Sequence, residues 1–215
     1  MSSNTDPQLG NVRASIKQYY TERVLKYGPT PRGADWTCVA TQELRFVQLL
    51  KLLDFTVSFS LNDVGCGYGA LLSYLAKRHP NTCIDYLGID LSPAMIRHAK
   101  RLWKHCGHAS FVIGNSSPRI ADYSVASGIF NVKLDQPIDL WERFIADTLA
   151  DMHAASRLAF AFNLLSPASL EHMHDPELYY SAPQPWVPYC ERELGCSVEV
   201  VTGYGMREFT LLVRR

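Results

Sequence analysis

The sequence lacks an excess of either charge: 21 Lys and Arg stand against 21 Asp and Glu. A neutral chain has no broad basic field of the kind that polyphosphates select, so nucleic acid is not expected as a partner. No apolar run is long enough to cross a bilayer, which sets a membrane partner aside. The opening stretch, MSSNTDPQLGN, is polar and has no basic segment leading into an apolar one. Neither a secretory signal nor a transit peptide is therefore read there, and a cytoplasmic location is expected. The six cysteines (Cys38, Cys66, Cys83, Cys106, Cys190, Cys196) form no C-x-x-C pair and have no histidine at zinc-finger spacing; reduced, unpaired thiols follow. Internal repeats and low-complexity tracts are missing as well.

What remains is a chain of 215 residues, 47% of them hydrophobic, enough for one core without disulfide or metal staples. Its apolar periodicity predicts two helices at the start, over 12–26 and 39–53, separated by the proline- and glycine-bearing loop Tyr27 to Gly33, with residues 1–10 loose. Strands then alternate with helices: strand 55–64, helix 70–79, strand 83–89 ending at Asp90, and a helix opened by Ser92-Pro93, a capping hydroxyl and a proline at the first helical position. That helix is read with Met95, Ile96, Ala99, Leu102 and Trp103 on its buried side. Strands over 109–113 and 123–129, a helix over 138–152 and the nearly continuous apolar strand 157–164 follow, a pattern that implies a buried parallel sheet covered on both faces. Residues 166–188 hold five prolines and read as a pocket-shaping insertion. A short helix near 186–194 and two strands, 197–202 and 208–213, close the chain.

The chemistry centres on Asp63-Val64-Gly65-Cys66-Gly67-Tyr68-Gly69, where a strand turns into a helix and missing side chains let backbone amides approach a ligand. Spacing alone leaves the ligand open. Gly65-x-Gly67-x-x-Ala70 also fits a dinucleotide loop, and Asp90 lies about 20 residues on, where an acid takes a ribose hydroxyl in either case. The whole pattern, Asp63-x-Gly65-x-Gly67-x-Gly69 followed by Gly88-Ile89-Asp90-Leu91-Ser92-Pro93-x-Met95, resembles class I S-adenosylmethionine-dependent methyltransferases over roughly residues 56–135 and the terminal pair of strands.

That resemblance implies an α/β, Rossmann-like fold: a seven-stranded, mostly parallel sheet in the order 3-2-1-4-5-7-6, helices on both faces, and N-terminal lid helices. It divides a single domain into lid (1–54), cofactor-binding core (55–165), insertion (166–188) and C-terminal helix and hairpin (189–215). By matching positions it assigns S-adenosyl-L-methionine to Asp63, Gly65, Gly67, Asp90, Leu91 and Met95. It further places Asn115 and Ser116 at the adenine edge and Ser127 and Gly128 beside the sulfonium; the first two also fit an ordinary turn.

Methyl transfer needs acceptor, methyl and sulfur in line, and no catalytic residue is assigned. The acceptor site is expected from Tyr20, Tyr27, Arg32, Trp36, Phe130 and Asn131, although each aromatic taken singly also fits the core. Ser127-Gly128-Ile129-Phe130 is not the Asn/Asp-Pro-Pro-Tyr/Phe signature of many amino-methyltransferases. Together with the neutral charge, this favours an oxygen or nitrogen of a small metabolite, from a natural-product or sugar-containing pathway. An RNA or protein methyltransferase and a non-catalytic cofactor-binding subunit are the alternatives. His172, His174 and Asp175 have no third ligand at a recognisable spacing, so no metal is expected. Monomer and homodimer both fit.

Overall fold

A computed structural model of the chain describes residues 6–167 and 175–215. Seven strands, β1 (Phe59–Val64), β2 (Ile84–Asp90), β3 (Ala109–Ile113), β4 (Ala121–Ala126), β5 (Ser156–Leu165), β6 (Ser197–Val201) and β7 (Glu208–Arg214), form one sheet in the order β3-β2-β1-β4-β5-β7-β6. The first five are parallel, and β7 runs antiparallel to both of its neighbours. This is the Rossmann-like order that the resemblance implies.

Alternation along the strands builds two apolar layers, because successive side chains leave opposite faces. On one face Phe160, Phe162 and Leu164 of β5 pack with Trp141, Phe144, Ile145 and Leu149 of helix α5 (Ile138–Ala154). On the other, Ala159 and Ala161 lie under helices α2 (Val39–Leu49) and α3 (Ala70–Arg78) with Phe46, Leu49, Leu71 and Leu75. Helix α4 (Pro93–Leu102) joins that second layer through Ile96 and Ala99.

The first helix, α1 (Pro7–Tyr27), starts five residues before the expected position. The Asp6 carboxylate accepts the Gln8 N–H, and Pro7 takes the first turn, where a proline forfeits no hydrogen bond. Leu9, Val12 and Ile16 of α1 share the apolar layer with Val64, Leu87 and Ile89. The link from β3 to β4, residues 114–120, contains no helix, so α1 covers the sheet face that a crossover helix there would cover. It is a structural wall of the sheet.

Other boundaries shift for local reasons. Strand β4 ends at Ala126 rather than 129 because Gly128 takes a positive φ of 72° and turns the chain. The Asp54 carboxylate accepts the Thr56 N–H and hydroxyl, holding a turn before β1 begins at Phe59. Leu102, expected on the buried side of α4, is exposed in the last turn; Trp103 makes the inward contact, with its indole against Gly69. After Trp186–Pro188 the chain winds into a wider, π-type turn over Tyr189–Glu193.

The described part of the 166–188 segment does not border the central cleft. Leu178 bridges to Val132, Tyr180 bridges to Leu165, and the Tyr179 hydroxyl donates to Glu142 of α5 at 2.9 Å. His172 and His174 lie outside the described residues.

The wall role of α1 separates two leucines of the same helix. Leu9→Ala, at a buried position, is expected to cost about 2–5 kcal/mol, and Leu25→Ala, at an exposed one, less than about 0.5 kcal/mol in urea unfolding. Equal effects would contradict the placement of α1.

Candidate active site

Where β1 and β2 end, the chain makes a dense set of main-chain contacts. Gly65 and Cys66 donate N–H groups to the Ile89 carbonyl at 2.8 and 3.0 Å, and Gly114 donates to the Asp90 carbonyl at 3.1 Å. The Asp90 carboxylate accepts from Gly67 N–H at 2.9 Å through Oδ2 and from Ser92 N–H at 2.8 Å through Oδ1. One side chain thus fixes the glycine loop and the start of α4 together. Gly67 has a φ of 55°, and a Cβ there would meet only Met95 Sδ, at 3.8 Å, so the loop presents bare backbone to open space. Helix α3 starts at Gly69 without a side-chain cap, which leaves its first N–H groups free for a ligand.

These elements floor a cleft of roughly 1010 Å³, part of it open to solvent. It brings together Asp63, Gly65, Gly67, Asp90, Leu91, Met95, Asn115, Ser127 and Gly128, nine of the ten positions matched to the cofactor. The exception, Ser116, is exposed in the β3–β4 link and does not line the cleft; Gly114 borders it as well.

The acceptor-side set divides. Tyr20 and Trp36 line the cleft. Trp36 is brought there by a loop folded back on α1: the Tyr19 hydroxyl donates to Asp35 at 2.7 Å, and Arg23 pairs with the same carboxylate. Tyr27 and Arg32 lie off the cleft and stack on each other, guanidinium to ring centroid 5.5 Å. Phe130 is fully buried in the core against Phe144 and Phe162, because the turn at Gly128 sends the chain inward. Asn131 is buried next to that turn, where its N–H donates to the Gly128 carbonyl.

Sequence reasoning missed Arg13, Lys17, Gln42, Tyr68, Phe144 and Thr148, all of which line the cleft. A signal was present for α1, since Arg13, Lys17 and Tyr20 recur at helical spacing and share one side. Arg13 is tied to Asp147 of α5 by an ion pair. Gln42 and Tyr68 meet only in three dimensions, hydroxyl to amide oxygen at 3.3 Å. Among the described residues no histidine lines the cleft, and no cluster of three or more His, Cys, Asp or Glu is placed to hold a metal.

The two acids differ in their support. Asp63 accepts a hydrogen bond from the buried Tyr86 hydroxyl. Burial pushes its pKa up to about 7, with the nearby Asp90 charge acting in the same direction. Burial raises Asp90 to about 6, opposed by the two backbone N–H donors. Burial also holds the Cys66 thiol well above its ordinary value, so it stays protonated and packs as a small apolar group.

Comparison with known proteins agrees with this geometry. A family model described as a methyltransferase domain matches residues 62–151. Rv1506c of Mycobacterium tuberculosis, provisionally named a methyltransferase, is 43% identical over 166 residues, covering 77% of this chain and 99% of that one. The chain belongs to the class I methyltransferase family. Among solved structures, the magnesium protoporphyrin IX methyltransferase ChlM of Synechocystis PCC 6803, with bound SAH, superposes on this methyltransferase with a TM-score of 0.67. The two are 14% identical, and 94% of this chain and 99% of that one are covered. Phosphoethanolamine N-methyltransferase 1 of Haemonchus contortus gives a TM-score of 0.66 at 15% identity, covering 96% of this chain and 49% of that one. At such identities the likeness is one of fold.

Raised carboxyl values have a stability consequence for the methyltransferase with its cleft empty. The unfolded chain releases these two protons near the ordinary value of 3.8, whereas the folded chain keeps them until about 6 and about 7. Between those limits the folded state binds more protons, so this contribution to stability is full below the unfolded value and is lost as pH rises through the folded values. The melting temperature of Asp63→Asn minus that of the wild type should therefore grow between about pH 5 and pH 8. A difference independent of pH would refute the assignment.

Proposed function

We propose that the chain transfers the methyl group of S-adenosylmethionine to an oxygen or nitrogen of a small metabolite, with the full chain serving one methyltransferase domain in the cytoplasm. The observation that carries this reading is the joint placement of the Asp90 carboxylate and the bare Gly67 backbone on one cleft floor. The cleft residues fit the cofactor. Asp90 uses one lone pair of each oxygen on the backbone and keeps others for the two ribose hydroxyls. Leu91 and Met95 offer an apolar seat to the adenine, Asn115 offers an amide at its edge, and Gly67 leaves the room that the methionine part needs.

When bound, the cofactor supplies an electrophilic methyl on a sulfonium. The work of the protein is to hold the acceptor in line with that methyl and to keep water away. Tyr20 from α1 and Trp36 from the following loop form the roof, and Ser127 and Gly128 form the wall beside the reacting atoms. Positioning carries the rate in this reading, and the acceptor gives up its proton to a nearby oxygen. An acceptor of metabolite size is supported by the enclosure of the cleft under α1 and by the small acceptors in the names of its fold neighbours, magnesium protoporphyrin IX and phosphoethanolamine.

Titration calorimetry with S-adenosylhomocysteine tests the donor site. Wild type should bind at micromolar levels, and Asp90→Ala should lose roughly 100-fold or more, because each hydrogen bond to a charged carboxylate contributes about 1.5–3 kcal/mol. Binding indifferent to Asp90 would overturn the reading.

A further inference from the structure

Several buried polar atoms without a hydrogen-bond partner among the described residues gather round one turn: Ser127 Oγ, Asn131 Oδ1 and Glu208 Oε1. Such atoms are costly, so their concentration marks a place where something other than packing has shaped the fold. The contacts there form a closed circuit. Gly128 N–H donates to Asn163 Oδ1 at 2.8 Å, and Asn163 Nδ2 donates to Glu208 Oε2 at 3.0 Å. Arg45 Nε donates to the same Glu208 oxygen at 2.9 Å, and its guanidinium lies 4.0 Å from the centroid of the Trp36 ring. That ring in turn rests on Gly128, where a Cβ would stand 2.1 Å from Trp36 Cη2.

Five residues from five separate parts of the chain are joined, and Glu208 is the common acceptor. Its side chain is wholly buried and that of Arg45 nearly so. A buried ion pair is a weak source of net stability, since desolvation cancels most of the attraction, but it holds its partners in one geometry. Arg45 is further pinned by donating to the Thr41 carbonyl at 3.0 Å. The guanidinium thus lies over the Trp36 ring while the Cη2 and Cζ2 edge of that ring rests on Gly128, so the indole is held between the two.

We propose that Glu208 is a positioning residue for the acceptor end of the cleft: through Arg45 it sets the Trp36 roof, and through Asn163 it sets the Gly128 wall. The inference rests on the methyltransferase reading for the meaning of that end, and the geometry it describes stands apart from Asp90. Roof and wall therefore share one support, and an acceptor enters between them when the Trp36 ring lifts from Gly128. The spacing between the two selects acceptors by thickness at the atom to be methylated.

The test reads Trp36 directly. Acrylamide quenching of tryptophan emission is measured on the full chain, and each protein is compared with its own Trp36→Phe version so that the other three tryptophans cancel. Glu208→Gln is the first variant. The paired replacement Arg45→Met with Glu208→Met is the second, because removing both charges leaves no orphan ion and protects folding. Expected is a rise of roughly twofold or more in Trp36 quenching in either folded variant, with a loss of S-adenosylhomocysteine affinity well below that of Asp90→Ala, because the ribose contacts are left in place. Unchanged Trp36 quenching in the paired variant overturns the proposal, and so does a loss of S-adenosylhomocysteine affinity equal to that of Asp90→Ala. Failure of the wild type to bind S-adenosylhomocysteine would count against the donor-site reading alone, since the quenching comparison needs no cofactor.

Discussion

The floor of the cleft depends on one carboxylate. Asp90 is placed at the end of β2 by the parallel pairing of β2 with β1 and β3, and from there it clamps Gly67 and Ser92, the residues that open the glycine loop and α4. The clamp has a cost, because burial lifts the carboxyl to about 6. That cost is tolerable because two backbone N–H groups already face the charge, and each charge-assisted bond is stronger than a neutral one. A cofactor with hydroxyls to donate would complete a shell that the protein half fills.

From this clamp the architecture extends outward in two directions. In one direction, α1 brings Ile16, Tyr20 and two cations to the cleft while its other side completes the sheet layer. The same helix therefore supports the core and roofs the site, which couples folding to the shape of the cleft. In the other direction, the Trp36 indole leans on a backbone glycine and lies under an arginine. The first direction is built of apolar contacts between adjacent elements, and the second of polar contacts between distant ones.

That difference explains how much could be read in advance. The glycine loop, Asp90 and the Ser92-Pro93 helix start are local features whose spacing records a backbone geometry, and the structure assembles them as the pattern implies. Strand order came through the same resemblance. Trp36 was legible only as one aromatic among several, because its position depends on Arg45 and Glu208, 163 residues apart in the chain. Phe130 looked like a site aromatic from its closeness to Gly128, but the positive φ of that glycine directs it into the core. Tyr27 meets the cations of Arg23, Lys26 and Arg32 away from the cleft. The proline-rich stretch is irregular over the described residues 175–185, but proline density carries no information about which surface these residues pack against.

A crystal structure of the chain with S-adenosylhomocysteine tests the proposed role of the Asp90 clamp most directly. The ribose hydroxyls are expected within hydrogen-bonding distance of the Asp90 carboxylate, adenine against Leu91, and the sulfur facing Ser127–Gly128 beneath Trp36. Electron density for the ligand elsewhere, or a ligand in the cleft whose ribose leaves Asp90 untouched, would contradict it.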